Sequence, residues 1–431
     1  MDRRSFLKLA ATSGVAVMAP TAFSRPAYAA GPRYGGPYFI MIHASGGWDP
    51  TYLCDPKGSD GAVNINRMFK GSEIAQIGQF RTPPATVDFG ASGMKPFDFV
   101  TKYKNDLLVI NGIDTTTGNH DTGTRVIWSG RVAEGYPGFG AVLAAAKTPG
   151  NPLGFISNGG YEATAGLTSL TRLGNIDTTQ RVAYPNRRDP ASATSLYHTE
   201  ETWNRINQVQ RDRLVSLRDG TQVPRLHRGQ AELYLARDPA NDLAALAAAL
   251  PTQAAVNAAG NSLQRQAMVA VAGFKTGLAV AANLSIGGFD THGNHDGGHI
   301  PLMGTLLKGI DLVWTEIANA GLAGKVVLAV GSDFGRTPAY NAQNGKDHWN
   351  ITSMLFMGAG IAGGRVIGST DAGFKAKKFN PSTLAEDPSG VRINPEHIQK
   401  ALRELAGITD SDPARQFPLS PSIDSLRLFT P

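Results

Sequence analysis

Short apolar runs recur along the chain, and each of them ends in a turn rich in glycine. Continuous apolar stretches of this length are typical of strands that are buried on both faces of a sheet. Four of the five runs are followed by turns that carry Asp or His. We therefore predict five strands, at residues 37–44, 107–111, 278–286, 325–330 and 353–357.

A helical pattern lies between the third and the fourth predicted strands. Apolar side chains recur at helical spacing within residues 300–320, at Leu302, Leu306, Ile310, Val313 and Ile317. The repetition of strand, glycine turn and helix predicts an α/β fold with a mostly parallel central sheet flanked by helices. Residues 190–272 are charged and then alanine-rich, which predicts a helical insertion, and residues 395–405 predict one more short helix.

The first 29 residues have the pattern of an export signal. Arg3 and Arg4 form a twin-arginine pair, a short apolar run follows, and residues 27–29 (Ala-Tyr-Ala) supply a small-x-small cleavage site. The apolar run is too short for a stable membrane span. We expect the twin-arginine translocon to export the folded protein, with residues 30–431 forming the mature domain in the periplasm or outside the cell.

The amino-acid composition indicates a folded globular protein and bears on which partners it can bind. The 431 residues are 42% hydrophobic and 18% charged, as is usual for a folded globular protein. The formal net charge is +6, but no basic run is interleaved with aromatic residues, so we expect no nucleic-acid partner. The single cysteine, Cys54, excludes an internal disulfide and is expected to be a small buried hydrophobe.

Aspartate and histidine collect where the predicted strands end. The stretch GGFDTHGNHDGGH, residues 287–299, alone contains three of the nine histidines. Ligands of α/β sheets bind beyond the carboxyl ends of the strands, and divalent ions are held by carboxylate oxygen and imidazole nitrogen. We predict one or two divalent ions, with zinc as the first choice and manganese or calcium as alternatives. The candidate ligands are Asp49, His120, Asp290, His292, His295, Asp333, Asp347 and His348.

The order of these residues resembles the alkaline phosphatase and sulfatase superfamily. The strings GGFDTH, SDFGRTP and GKDHW look like those of a bacterial family of unknown function, exported by the twin-arginine route, within that superfamily. The resemblance implies an alkaline-phosphatase-like core that hydrolyses phosphate or sulfate esters. The resemblance matches Asp49 to the first metal-binding Asp of the superfamily. It matches Asp290, with His292 or His295, to the Asp and His that hold a second metal ion. Asp333 and His348 match the Asp and His ligands that come last in the chain.

The chain departs from the superfamily at the nucleophile. A Ser, Thr or Cys is expected ten residues before Gly130, where this chain has His120. His120 is open to three interpretations: a metal ligand, a nucleophile, or a hydrogen-bond donor to an anion. Thr122 is an alternative source of a hydroxyl. Phe334 also stands where a His is expected, so the resemblance supports metal ligands better than it supports a reaction.

Two functional hypotheses follow. In the first, metal-bound hydroxide attacks a small anionic ester, and Arg336 or Lys346 steadies the anion, with Arg125 as a weaker third candidate. In the second, the protein is a non-catalytic, metal-stabilised protein that binds an envelope component. Loss of the usual nucleophile favours the second hypothesis. The choice between His292 and His295 as ligand stays open at this point.

Overall fold

The structure of the protein is a computed structural model, which describes residues 33–61, 63–151, 153–173, 175–220 and 243–430. The predicted signal peptide lies outside the described residues. Residues 221–242 of the predicted helical insertion lie outside them as well.

All five predicted strands are present, with bounds that differ by a few residues from the prediction. The structure adds several shorter strands that the apolar pattern did not indicate. In chain order the strands are β1 (Tyr38–Ala44), β2 (Ala75–Ile77), β3 (Phe80–Thr82), β4 (Leu108–Asp114), β5 (Phe155–Ser157), β6 (Ala281–Ile286), β7 (Val326–Ser332), β8 (Gly335–Arg336), β9 (His348–Trp349), β10 (Ile351–Gly358) and β11 (Arg365–Ile367).

Seven strands form the central sheet, in the order β11-β4-β10-β7-β1-β6-β5. Strand β10 is antiparallel to both of its neighbours, β4 and β7, whereas the other neighbouring pairs are parallel. The prediction of a mostly parallel sheet is therefore confirmed. The remaining strands form two small ladders, β2 with β3 and β8 with β9.

Helices account for most of the remaining regular structure. They are α1 (Pro96–Tyr103), α2 (His120–Ser129), α3 (Phe139–Lys147), α4 (Ile176–Ala183), α5 (Glu200–Gly220), α6 (Leu243–Ala249), α7 (Gln253–Ala258), α8 (Ser262–Lys275), α9 (His295–Asn319), α10 (Pro395–Leu405) and α11 (Asp412–Gln416). The last predicted helix, α10, is confirmed. None of the helices in the described part of the chain combines the length and the apolar character that a membrane crossing needs.

The sheet is buried on both faces. Successive side chains of a strand point to opposite faces, so Ile40 and Ile42 of β1 belong to one apolar core and Phe39 and Met41 to the other. Helices α8 and α9 supply side chains to the first core, and α2, α3 and α10 supply them to the second. This double burial explains why the strands appear as continuous apolar runs in the sequence.

Helix α9 divides the histidine-rich stretch into two parts. The helix begins at His295, five residues before the predicted start, and Asn294 precedes it in a left-handed conformation. Residues 287–294 therefore form a loop, whereas His295 and His299 are one helical turn apart and buried. The three histidines of this stretch thus do not share one surface turn.

The chain divides into two compact units. One unit comprises Arg33–Tyr197 and Asp242–Pro431 and contains the seven-stranded sheet. Helix α5 belongs to the other unit. Helices α4 to α8 lie within or near the region predicted as a helical insertion, and the last of them, α8, contributes Leu263 and Phe274 to a core of the sheet unit.

Candidate metal centre

The candidate residues converge at one edge of the sheet because of the strand directions. Strands β1, β4, β6 and β7 run the same way, so their carboxyl ends lie together. His120 opens α2 after β4, and Asp290 and His292 lie in the loop after β6. The small ladder after β7 pairs Arg336 with His348.

Three histidines at this edge each form a hydrogen bond through Nδ1. His120 Nδ1 lies 2.6 Å from Asp333 Oδ2, His292 Nδ1 lies 2.8 Å from Asp347 Oδ1, and His348 Nδ1 lies 2.6 Å from the Gly118 carbonyl oxygen. Carboxylate and carbonyl oxygens only accept hydrogen bonds, so each Nδ1 carries the proton. Each Nε2 is left with a free lone pair, as in metal-binding histidines.

The free nitrogens point at the carboxylate of Asp290. Its Oδ1 lies 3.0 Å from His292 Nε2 and 3.2 Å from His348 Nε2, and its Oδ2 lies 3.5 Å from His120 Nε2. Ligand atoms of His120, Asp290 and His348 all lie within 4.8 Å of one another. The imidazole nitrogens of His120 and His348 and the carboxylate of Asp290 therefore face one another, and His292 Nε2 lies beside Asp290 and His348.

Two features show that this donor set fits a cation. His120 Nε2 is buried and has no hydrogen-bond partner among the described residues. His292 Nε2 and His348 Nε2 lie 2.9 Å apart, although both rings carry their proton on the other nitrogen. Two lone pairs at that distance repel each other unless a positive charge lies beside them. These side chains thus form a candidate site for a divalent metal ion.

Arg336 orients the carboxylate of this cluster. Its side chain is fully buried and donates to the carbonyl oxygens of Gly46, Gly47 and Lys346, and also to Asp290 Oδ1 at 2.6 Å. Burial by itself would raise the pKa of Asp290, but the hydrogen bond and the positive charge of Arg336 lower it to about 2. Arg336, which was predicted to bind an anion, therefore uses its N–H groups for hydrogen bonds to Asp290 and to backbone carbonyl oxygens.

Phe334 stands where the resemblance leads one to expect a histidine. Its buried ring packs against His120 and His348, with ring centroids 4.9 Å and 4.5 Å away. A Cβ on Gly47 would lie 2.6 Å from this ring, and Gly47 also has a left-handed φ of +77°, so the residue there must be glycine. Where a second late ligand was expected, the chain has an apolar support for two histidines.

His43 is the site residue that the sequence analysis missed. It is the last but one residue of β1, and its Nε2 lies 3.0 Å from Asp333 Oδ1. Trp128 donates its indole N–H to His43 Nδ1 at 3.0 Å, so the His43 proton is on Nε2 and is donated to Asp333. The sequence signal was a single imidazole within a buried strand that ends at the candidate edge.

Asp333 therefore holds His120 in place from the buried side of the cluster. Burial by itself would raise its pKa, but hydrogen bonds from His43, His120 and the Gly46 amide lower it. An ionised Asp333 fixes the His120 ring through Nδ1, and Asp347 does the same for His292. Both aspartates were predicted as metal ligands, and in this structure each hydrogen-bonds a candidate ligand imidazole.

Asp49 and His295 lie in a separate buried network. Asp49 Oδ2 lies 2.6 Å from Lys346 Nζ and 3.1 Å from His295 Nε2, and all three side chains are fully buried. Burial opposes ionisation of Asp49, but Lys346 and His295 hold its pKa well below the usual range. The structure does not bring Asp49 and His295 into the cluster around Asp290, because Lys346 already balances the buried carboxylate.

The cluster around Asp290 is open to solvent. The exposed fraction of the side chain is 46% for both Asp290 and His292, 37% for His120 and 25% for His348. An open site of this kind leaves room for water or a ligand next to the metal position. The hydroxyl alternative, Thr122, lies in the first turn of α2, where its backbone N–H bonds the Asn119 side chain.

Comparisons with known proteins identify a family but no activity. The family model described as "Protein of unknown function (DUF1501)" matches residues 38–387, more than half of the chain. The chain therefore belongs to this family. No curated protein matches it.

Several solved structures are similar in fold at low sequence identity. The lipoteichoic acid synthase LtaP from Listeria monocytogenes is 9% identical with a TM-score of 0.38, over 92% of this chain and 75% of that one. The PsFucS1 sulfatase from Pseudoalteromonas sp. is 10% identical with a TM-score of 0.34, over 87% and 68%. Ps i-CgsB in complex with a neocarrahexaose is 10% identical with a TM-score of 0.40, over 89% and 75%. Values this low transfer no activity to this chain.

Proposed function

We propose that this member of the DUF1501 family binds a divalent metal ion through His120, Asp290, His292 and His348 and hydrolyses a small anionic ester, a phosphate or a sulfate, outside the cytoplasm. One observation carries the proposal. Three imidazoles have their Nδ1 protons bonded to oxygen acceptors, and their Nε2 atoms lie 3.0–3.5 Å from the carboxylate of Asp290.

The donor set favours zinc. Zinc is bound by imidazole nitrogen and carboxylate oxygen, usually with four ligands, whereas calcium takes six to eight oxygen ligands. Manganese prefers carboxylate and water oxygen to imidazole. Three nitrogens and one carboxylate group therefore rank zinc first, manganese second and calcium last.

The chain's own residues prepare the site for hydrolysis. Asp333 and Asp347 hold two imidazoles in place, Arg336 holds Asp290, and Phe334 keeps water away from the buried side of the histidines. A bound divalent ion supplies a Lewis acid for an ester oxygen and makes a coordinated water more acidic. Because the cluster is exposed on its other side, an ester can approach it from solvent.

His120 is best explained as a ligand. Its Nδ1 is bonded to Asp333 and its Nε2 faces Asp290 beside His348, so an ion bound in the cluster would occupy the lone pair that a nucleophile needs. Its position, at the start of α2, is the one where the resemblance expects a hydroxyl or a thiol. This substitution favours the second hypothesis, a metal-stabilised protein that binds an envelope component without turnover.

An assay on metal-loaded protein separates the two hypotheses. Aryl phosphate monoesters, aryl phosphate diesters and aryl sulfates are tested with wild type, Asp290→Asn and the control Asp410→Asn, an exposed residue. Turnover that Asp290→Asn removes and Asp410→Asn leaves unchanged supports the hydrolase. Stoichiometric metal without turnover of any of the three esters overturns it in favour of the binding protein.

Export by the twin-arginine route belongs to the same proposal. The sequence pattern of Arg3 and Arg4 supports it. Replacing both arginines by lysine is expected to leave the protein in the cytoplasm, as measured by cell fractionation. Unchanged secretion of the double variant would contradict this route.

A further inference from the structure

A cavity lies at the same edge of the sheet as the candidate metal cluster. Its volume is about 340 Å³, within the lower range of small-molecule pockets. Asp121, Thr124 and Arg125 of α2 line it from one side, and His43 and Ser45 line it from the end of β1. None of these residues is a ligand of the metal cluster described above.

One stripe of α2 builds the polar wall of the cavity. Asp121, Thr124 and Arg125 stand at positions i, i+3 and i+4 of the helix, so their side chains share a face. No ion pair joins Asp121 to Arg125 among the described residues, although this spacing usually brings such a pair together. The cavity thus has a carboxylate and a guanidinium that are not paired with each other.

The lining keeps much of its hydrogen-bonding capacity. Arg125 Nη1 donates to the Val132 carbonyl oxygen at 2.6 Å, its Nη2 lies 3.6 Å from Glu134 Oε1, and it also interacts with Tyr161. A guanidinium has five N–H groups, so these three partners leave donors for a ligand. The Thr124 hydroxyl lies 3.5 Å from His43 Nε2, whose proton is already donated to Asp333. Tyr161 donates its hydroxyl to the Tyr136 carbonyl, so it offers the cavity its ring rather than its oxygen.

The combination of groups selects a class of ligand. A guanidinium only donates, a carboxylate only accepts, and hydroxyls do both, so a molecule with several hydroxyls matches every polar group of the wall. An apolar molecule would desolvate Asp121 and Arg125 without replacing their hydrogen bonds. A dianion would meet the negative charge of Asp121.

We propose that this cavity binds a small neutral polyhydroxyl molecule, about the size of a single sugar ring, without contact to the proposed metal ligands. The cavity volume sets the size, and the ring of Tyr161 offers an apolar surface for the carbon face of such a molecule. One ring in a partly open site is expected to bind with a millimolar Kd.

Saturation-transfer NMR titrations test the proposal on the protein as purified. The probes are methyl α-D-glucopyranoside and myo-inositol, with inorganic sulfate as a competitor. Thr124→Val keeps the side-chain shape and removes one hydroxyl, and Asp121→Asn removes the charge. Each is expected to raise the probe Kd by about two- to tenfold, whereas the control Thr101→Val, exposed on α1, leaves it unchanged.

A metal-cluster variant keeps the two proposals separate. His348→Ala is expected to leave probe binding unchanged, because the cavity does not include that residue. The proposal is overturned by the absence of saturation transfer up to about 100 mM probe, far above the expected Kd. It is also overturned by equal loss in His348→Ala, or by full displacement of the probes with equimolar sulfate.

Discussion

At the scale of single residues, the role of each histidine at this edge of the sheet follows from which of its two ring nitrogens already has a hydrogen-bond partner. His43 Nδ1 accepts a hydrogen bond from the Trp128 indole N–H, so the His43 proton is on Nε2, which donates a hydrogen bond to Asp333. Asp333 in turn fixes His120, whose Nε2 is left for a metal. Each proton position is set by a fixed donor or acceptor, so the orientation of His120 depends on a residue that it does not touch.

Removing the donor at residue 43 is expected to weaken metal binding. His43→Leu should raise the Kd for zinc by about 10- to 100-fold, because a ligand imidazole loses part of its supporting hydrogen-bond chain. His43→Gln, which keeps an N–H group toward Asp333, should recover most of the affinity. Competition with a zinc-binding dye measures all three proteins, and equal affinities would show that His43 has only a packing role.

At the scale of elements, the sequence predicted strands and strand ends better than it predicted which ends meet. The apolar runs gave β1, β4, β6, β7 and β10, because buried parallel strands are apolar on both faces. The start of α9 was missed, and His295 was therefore predicted as a loop ligand, whereas the helix places it in the interior.

The sequence could not predict which candidate aspartate binds a metal and which is paired with a lysine, and the reason is physical. A buried Asp can be balanced by a metal or by a lysine, and the spacing of residues along the chain does not distinguish these cases. Asp49 is balanced by Lys346, which is 297 residues away in the sequence. The ligand set around Asp290, in contrast, was largely present in the predicted list, with His292 rather than His295 beside it.

The ion pair between Asp49 and Lys346 connects the turn after β1 to the loop between β8 and β9. Lys346→Met is expected to lower the free energy of unfolding by about 3–5 kcal/mol, because it leaves an unpaired carboxylate in the interior. The double variant with Asp49→Asn should recover a large part of the loss. Chemical denaturation measures this cycle, and a single variant as stable as wild type would contradict a structural role for the pair.

A second ion cluster connects α1 to α9 and predicts a pH dependence. Asp311 accepts hydrogen bonds from Lys102, Lys308 and Tyr103. Burial by itself would raise the pKa of Asp311, but these bonds lower it. A carboxyl whose pKa is lowered by folding stabilises the protein above its unfolded value, about 3.9, and this contribution is lost as pH falls through the folded pKa.

Asp311→Asn should therefore lower the free energy of unfolding near neutral pH, and the difference from wild type should shrink below about pH 4. Urea unfolding at a series of pH values measures the difference. Asp98→Asn, an exposed position on α1, is the control. A deficit that stays constant through the acid range would show that the hydrogen bonds of Asp311 do not depend on its charge.

At the scale of the whole molecule, the candidate metal cluster joins segments that are far apart in the chain. Its proposed ligands follow β4, β6 and β7, and their supports come from β1 and α2. An ion bound there contacts the folded state only, so it stabilises the whole sheet unit by mass action. Export in a folded state, as the amino-terminal pattern predicts, would allow the ion to be acquired before translocation.

The metal content of the exported protein tests the central claim most directly. Elemental analysis of protein purified after export is compared among wild type, Asp290→Ala, His292→Ala and His295→Gln. We expect a single zinc ion per chain in wild type and in His295→Gln, whose imidazole bonds Asp49, and none in the other two variants. Wild-type protein without metal, or metal that His295→Gln removes and His292→Ala retains, would contradict the account.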